Sequence, residues 1–222
     1  MRAFIDFEAS SLGPHGYPIE VAWVFEDGRS ASFLIAPIDG WTDWNPAAER
    51  AHGISRAQLA REGVAAPLVA RHLVDELAGH QVLTSAPSWD ARWMSRLLCA
   101  GGLPPCAVRV ADTDAALLEL AAALLAPALP SSQVHRASRQ IMASAGDRFV
   151  GRRRAHRPLA DAELERDRWL TVCRLARAYA GLSTDDRAAR PPAASREANL
   201  FLHPRVYPRT SLDRPGAEWR AS

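Results

Sequence analysis

The stretch Arg2-Ala3-Phe4-Ile5-Asp6-Phe7-Glu8 decides the fold. Its apolar residues read as a strand over residues 2–7. Residues two apart on a strand leave the same face, so Asp6 and Glu8 project together. Two neighbouring carboxylates on a strand entering a core are costly unless a cation neutralises them. The chain supplies more acids far along: Asp90, and Asp161 with His156 five residues before it. Four carboxylates and a histidine form a set of side chains suited to two-metal phosphodiester hydrolysis.

Working outward, Gly13, Pro14, Gly16 and Pro18 break the chain. Ile19 to Phe25 reads as a second strand, and Asp27-Gly28 is a hairpin signal leading to a third strand over Ser30 to Ile35. These three predict an antiparallel meander. From about Ser55 the pattern is helical, with Leu68, Val69, Leu73 and Leu77 at helical spacing between Pro67 and Leu77. A strand over 82–85, a helix over 88–100 with Trp89, Trp93 and Leu97 on one side, a strand over 108–111 and a helix from Asp112 to about Ala126 follow. Strands alternating with helices predict parallel pairing and crossover connections.

Residues 131–157 read as helix and loop. Leu159 to Ala180 reads as a helix, with Pro158 suited to its first position and Gly181 to its end. From Ser183 the chain is rich in Pro, Arg and Ser, with scattered Phe201, Leu202, Val206, Tyr207 and Trp219. The expected organisation is an α/β domain over 1–182, a mixed sheet flanked by helices, and an irregular tail over 183–222.

A chain of 222 residues, 48% of them hydrophobic, can bury a substantial core. All 27 basic residues are arginine, which with the abundant alanine reads as coding bias. Guanidinium is nevertheless a bidentate phosphate donor. The net charge of +2 does not by itself imply nucleic acid. The three cysteines, Cys99, Cys106 and Cys173, lack metal-ligand spacing and read as reduced thiols, which points to the cytoplasm. The first residues enter a strand directly, unlike a signal peptide. Ala115 to Leu129, the longest apolar-rich stretch, contains Glu119 and is too short to span a membrane.

The ordered motifs resemble the DEDDh family of 3′-to-5′ exonucleases, the ribonuclease T-like group that includes proofreading subunits and oligoribonuclease. Asp6-Phe7-Glu8-Ala9-Ser10-Ser11-Leu12 resembles the family's Asp-x-Glu-x-Thr-Gly-Leu run. Glu20, within Pro18-Ile19-Glu20-Val21-Ala22, resembles its second strand, and His52-Gly53-Ile54 its His-Gly-Ile turn. Ser85-Ala86-Pro87-Ser88-Trp89-Asp90 carries the second motif's aspartate, and Asp112-Thr113 resembles the pair opening the next helix. His156-Arg157-Pro158-Leu159-Ala160-Asp161-Ala162 matches the family's His-x-x-x-x-Asp-Ala. The resemblance covers residues 2–180. The chain departs from the family at Ala86, where asparagine is common, at Trp89, where phenylalanine is common, and at Ser11, which replaces a glycine. None of these removes a metal ligand.

The resemblance implies a ribonuclease H-like fold and two divalent cations, Mg²⁺ or Mn²⁺, both of which prefer hard oxygen ligands. It implies that Asp6 bridges the ions, that Glu8 and Asp161 hold the ion beside the attacking water, and that Asp90 binds the other largely through water. His156 would be the general base, an imidazole that titrates near neutral pH. Leu12 would wedge against a base. Ser10, Ser11 and Trp89 would flank the strand end. The expected activity is release of nucleoside 5′-monophosphates from single-stranded RNA or DNA 3′ ends, and family members are often homodimers.

Each acid alone reads as a solvated residue or as an early-helix acid favoured by the dipole; order and spacing together favour the site. Residues 134–157 hold seven arginines (Arg136, Arg139, Arg148, Arg152, Arg153, Arg154 and Arg157) against one acid, Asp147. That run is either a solvated loop or a phosphate-contacting flank, with Arg152, Arg153 and Arg154 as its centre. Trp41 and Trp44 suit buried packing better than base stacking. Two alternatives stand beside the enzyme: a non-catalytic nucleic-acid-binding or adaptor module on the same fold, and a polymerase-associated proofreading subunit.

Overall fold

The structure, a computed structural model, describes residues 1–149 and 156–182. Arg152, Arg153, Arg154 and the 183–222 tail lie outside the described residues. Three strands open the chain: β1 (Arg2–Ala9), β2 (Pro18–Phe25) and β3 (Ser30–Ala36). They form the antiparallel meander that the Asp27-Gly28 turn predicts, with Phe4 opposite Val24, Asp6 opposite Ala22 and Glu8 opposite Glu20. Gly28 adopts a positive φ of 94°, which this turn needs and a glycine supplies without strain.

Helices begin earlier than the sequence pattern suggests. The segment α1 (Pro46–His52) is started by Asn45, whose side chain accepts the Ala47 N–H at 2.8 Å, with Pro46 at its first position. Then come α2 (Arg56–Glu62), the two-residue strand β4 (Val64–Ala65) and α3 (Ala66–Leu77). The second half alternates as expected: β5 (Gln81–Thr84), α4 (Pro87–Ala100), β6 (Val110–Asp112), α5 (Thr113–Leu125), α6 (Ser131–Asp147) and α7 (Pro158–Tyr179). The sheet order is β4-β3-β2-β1-β5-β6, with β5 parallel to β1, β6 parallel to β5 and β4 parallel to β3. This is the mixed, helix-flanked α/β sheet of a ribonuclease H-like fold.

The sheet is covered on both faces, and alternation along β1 sorts its residues between them. Ala3, Ile5 and Phe7 join Val21, Trp23 and Phe25 against Val69, Leu73 and Leu77 of α3 and Trp93 and Leu97 of α4. Phe4 joins Val24 and Leu83 on the opposite face, against Leu117 of α5, Ile141 of α6 and Trp169 and Val172 of α7. The Phe4 and Trp169 rings meet at 5.8 Å. Each fully buried large side chain of this kind contributes about 1.5–3 kcal/mol. Asp6 and Glu8 continue the Phe4 face toward the end of β1, so the packing of α7 carries its first turn over them. Among the described residues, no helix is long and apolar enough to cross a membrane.

Candidate active site

The acids gather where β1 and β5 end, the edge at which open α/β sheets bind ligands. Carboxylate oxygens of Asp6, Glu8 and Asp161 lie within 4.8 Å of one another. Asp6 and Asp161 are buried and Glu8 half-buried. Pro158 starts α7 and thereby puts Asp161 in its first turn. Asp90 sits in the first turn of α4 and is buried. The Thr84 hydroxyl, at the end of β5, donates to Asp90 Oδ2 and accepts the Ala86 N–H at 3.0 Å. One threonine therefore fixes both the helix start and the acid it carries.

The electrostatics match the crowding. Burial, followed by the charges of Asp161, Glu20 and Asp90, pushes the Glu8 carboxyl up from 4.5 to about 7, while Arg157 pulls it down. A divalent cation relieves that repulsion, and an all-oxygen donor set suits Mg²⁺ or Mn²⁺. The residues present therefore fit a hard divalent cation.

His156 stands at the rim. Its Nδ1 is 4.0 Å from Glu8 Oε1, and its side chain is 54% exposed. Its φ is 49°, and it is the one described non-glycine residue with a positive φ. The next residue, Arg157, donates through Nε at 3.0 Å and Nη2 at 2.8 Å to the two oxygens of Glu20, which is 3% exposed. The sequence reading counted Arg157 only within a basic run and assigned no role to its pairing. His52, from the His-Gly-Ile turn, is also buried near this rim. Its Nδ1 accepts the Ile54 N–H at 3.0 Å, and its Nε2 has no partner among the described residues. Burial first, with the positive charges of His156 and Arg157 adding to it, holds this imidazole below its ordinary value against the opposing pull of Glu49.

The β1–β2 connection forms the other wall. Ser10 and Ser11 are buried, and their hydroxyls are engaged inside the protein. Ser10 Oγ accepts the Tyr17 N–H at 3.0 Å, and Ser11 Oγ donates to Asp43 and accepts the Gly13 N–H. Leu12, between these anchors, is 64% exposed. From α4, Arg92 donates to the Gly13 carbonyl at 2.9 Å, and Arg96 donates to the Gly16 and Pro14 carbonyls. The Arg92 guanidinium also lies 5.0 Å from the Trp93 ring centroid and 5.8 Å from that of Trp89. Trp93 is buried as expected, whereas Trp89 is 39% exposed because it sits in the first turn of α4, at the sheet edge. Trp41 stacks on Tyr17 at 5.1 Å, and Trp44 Nε1 donates to Glu49 at 2.6 Å, the packing role favoured for both. The sequence reading missed Thr84, Asp43, Arg92 and Arg96; their partners are backbone atoms or residues distant along the chain.

The sheet order and its flanking helices define the class of fold, ribonuclease H-like. No protein-family model matches the sequence, and no curated protein matches it. Among solved structures, the chain is similar to E. coli exonuclease I in complex with a dA16 oligonucleotide, with a TM-score of 0.56 at 16% identity, over 81% of this chain and 42% of that one. A moderately thermophilic exonuclease I from Methylocaldum szegediense gives 0.53 at 16% identity, over 80% and 42%. The zinc-ion-bound form of the E. coli exonuclease I complex with single-stranded DNA gives 0.53 at 17%, over 80% and 40%. The chain thus spans about two fifths of the length of these structures and shares their fold.

Proposed function

We propose that this protein is a metal-dependent 3′-to-5′ exonuclease that hydrolyses single-stranded nucleic-acid ends to nucleoside 5′-monophosphates. The observation that carries the proposal is the convergence of Asp6, Glu8 and Asp161 within 4.8 Å, with His156 at 4.0 Å from Glu8. Asp6, Glu8, Asp161 and Asp90 would hold two divalent cations. When bound, these supply Lewis-acid activation of water and stabilise charge on the leaving oxygen.

The remaining work falls to the chain's own side chains. Leu12 and Trp89 offer apolar and aromatic faces to the terminal base, and base stacking of this kind tolerates any sequence. The Ser10–Leu12 backbone, held by Tyr17 and Asp43, flanks the free 3′-hydroxyl. His156 takes the proton of the water that attacks the terminal phosphorus. The bond to the penultimate 3′-oxygen breaks, and that oxygen is protonated from solvent. The exposure of His156 lets it reach the water only once a strand lines the rim.

A digestion panel tests the proposal: 3′- and 5′-labelled single strands of RNA and DNA and short oligonucleotides, each with Mg²⁺, Mn²⁺ or EDTA. Expected is stepwise shortening from the 3′ end, abolished by EDTA. Binding without cleavage in every metal would favour the non-catalytic module instead. Co-purification of a polymerase through the 183–222 tail would place the same chemistry in a proofreading subunit.

A further inference from the structure

His156 sits in a backbone conformation that disfavours any side chain, with φ at 49°. Something must hold the neighbouring chain for that to persist. Residue 157 is held firmly. Both oxygens of Glu20 are engaged by the Arg157 guanidinium, at 2.8 and 3.0 Å, across 137 residues of sequence. Glu20 itself is rigidly placed: it is 3% exposed, sits in the middle of the meander opposite Glu8, and receives the Ser32 hydroxyl at 3.5 Å. Directly after Arg157, Pro158 is buried and α7 is packed on the sheet. His156 is thus the first residue outside an anchored point, and that point is built on the strand next to the one carrying Glu8.

We infer that the Glu20–Arg157 ion pair is a positioning device for His156, a fixed post about which the histidine turns toward the acidic cluster. A bidentate fork resists rotation as well as translation, which a single point charge does not. The chemistry of the pair explains why an arginine serves directly after the histidine: its stem leads back to β2 while the imidazole stays at the rim. The Arg157 guanidinium is committed to Glu20, and its charge also reaches Glu8; its route to the chemistry in this inference is through the backbone of His156. The inference rests on the proposed role of His156 as general base.

The test compares Arg157→Gln, Arg157→Lys and the double variant Glu20→Gln/Arg157→Gln, each in the wild-type and His156→Ala backgrounds. The double variant leaves no unpaired buried charge, so it remains informative if Arg157→Gln fails to fold. In the wild-type background, kcat on a labelled single strand is expected to fall roughly 10-fold to 100-fold, the scale set by an ångström of misplacement, with KM little changed. Arg157→Lys should recover part of the loss. In the His156→Ala background the same changes should have no further effect. The imidazole resonance of His156 in ¹³C-histidine-labelled protein, assigned by its absence in His156→Asn, should move or broaden in the double variant without any metal or strand present.

A rise in KM with kcat intact would overturn the inference by making Arg157 a strand contact. An equal loss in both backgrounds would overturn it by making the pair act on the cation cluster. An unmoved His156 resonance would overturn it independently of activity. A wild-type protein with no hydrolytic activity, or one unaffected by His156→Ala, would instead sink the exonuclease reading while the resonance still reported on the post.

Discussion

Glu8 and Glu20 face each other across the β1–β2 pair, and the Arg157 guanidinium hydrogen-bonds Glu20. Burial and the neighbouring acids make the Glu8 charge costly in the metal-free fold. Its carboxyl is raised from 4.5 to about 7. The folded state therefore holds a proton there that the unfolded chain has already lost. Stability is full below about pH 4.5 and falls as pH rises through about 7, by up to about 3 kcal/mol. Thermal melts in EDTA should show this decline, and Glu8→Gln should remove it. Calorimetry should show Mn²⁺ affinity rising over the same interval, because the cation takes the proton's place. A flat melting profile in EDTA for the unaltered protein would rule out the crowding of charge at Glu8.

Asp6→Ala is expected to abolish strand hydrolysis and to weaken Mn²⁺ binding severely. It should leave the metal-free melting temperature unchanged or higher, because a like charge leaves the cluster. Hydrolysis near the unaltered rate in metal-replete buffer would end the two-cation assignment.

His156→Ala is expected to lower kcat by roughly 10²–10⁴-fold, the range for a lost general base. Mn²⁺ affinity should hold, since no ligand is removed. Collapse of metal binding with normal turnover per bound metal would show His156 to be a ligand.

Trp89→Ala should weaken single-strand binding by about 1–3 kcal/mol, the scale of one base–aromatic stack. Arg92→Gln should reproduce part of that loss, since Arg92 joins the Leu12-bearing loop to the Trp89–Trp93 pair. Fluorescence anisotropy on labelled strands, read beside Mn²⁺ calorimetry, separates the effects: strand affinity should fall and cation affinity should not.

Replacing Arg152, Arg153 and Arg154 together with glutamine should flatten the slope of log affinity against log salt by up to about 0.7 per lost phosphate contact. Dinucleotides should be affected less than long strands. An unchanged slope would mark the run as a solvated loop.

The parts legible in the sequence were those governed by local rules. Alternation in residues 2–7, the Asp27-Gly28 turn and Pro158 with Gly181 located three strands and the last helix, because each signal lies within the element it specifies. The acids were picked out as a set by the resemblance of their motif order to the DEDDh family, and the strand period put Asp6 and Glu8 on one face. The two-residue β4 escaped because its pairing depends on β3 rather than on its own sequence. The Glu20–Arg157 pair and the Arg92–Gly13 latch escaped for a related reason. Each joins residues that meet only after the sheet and helices have packed, and no periodicity records such a meeting. Ser10 and Ser11 show the limit from the other side: their motif position was readable, whereas the burial of their hydroxyls was not.

The cation cluster draws Asp6 and Glu8 from the first strand and Asp161 from the last described helix. A chain still being synthesised carries the first two long before the third exists. Until α7 docks, Glu20 also lacks its arginine, and the growing sheet carries bare negative charge at its edge. Contacts of such wide sequence separation close late, because their loop entropy must be overcome first. Closure of the acidic cluster is therefore a late event in folding. A fragment ending before residue 156 would lack Asp161 and His156, and with them the arrangement on which the proposed function rests.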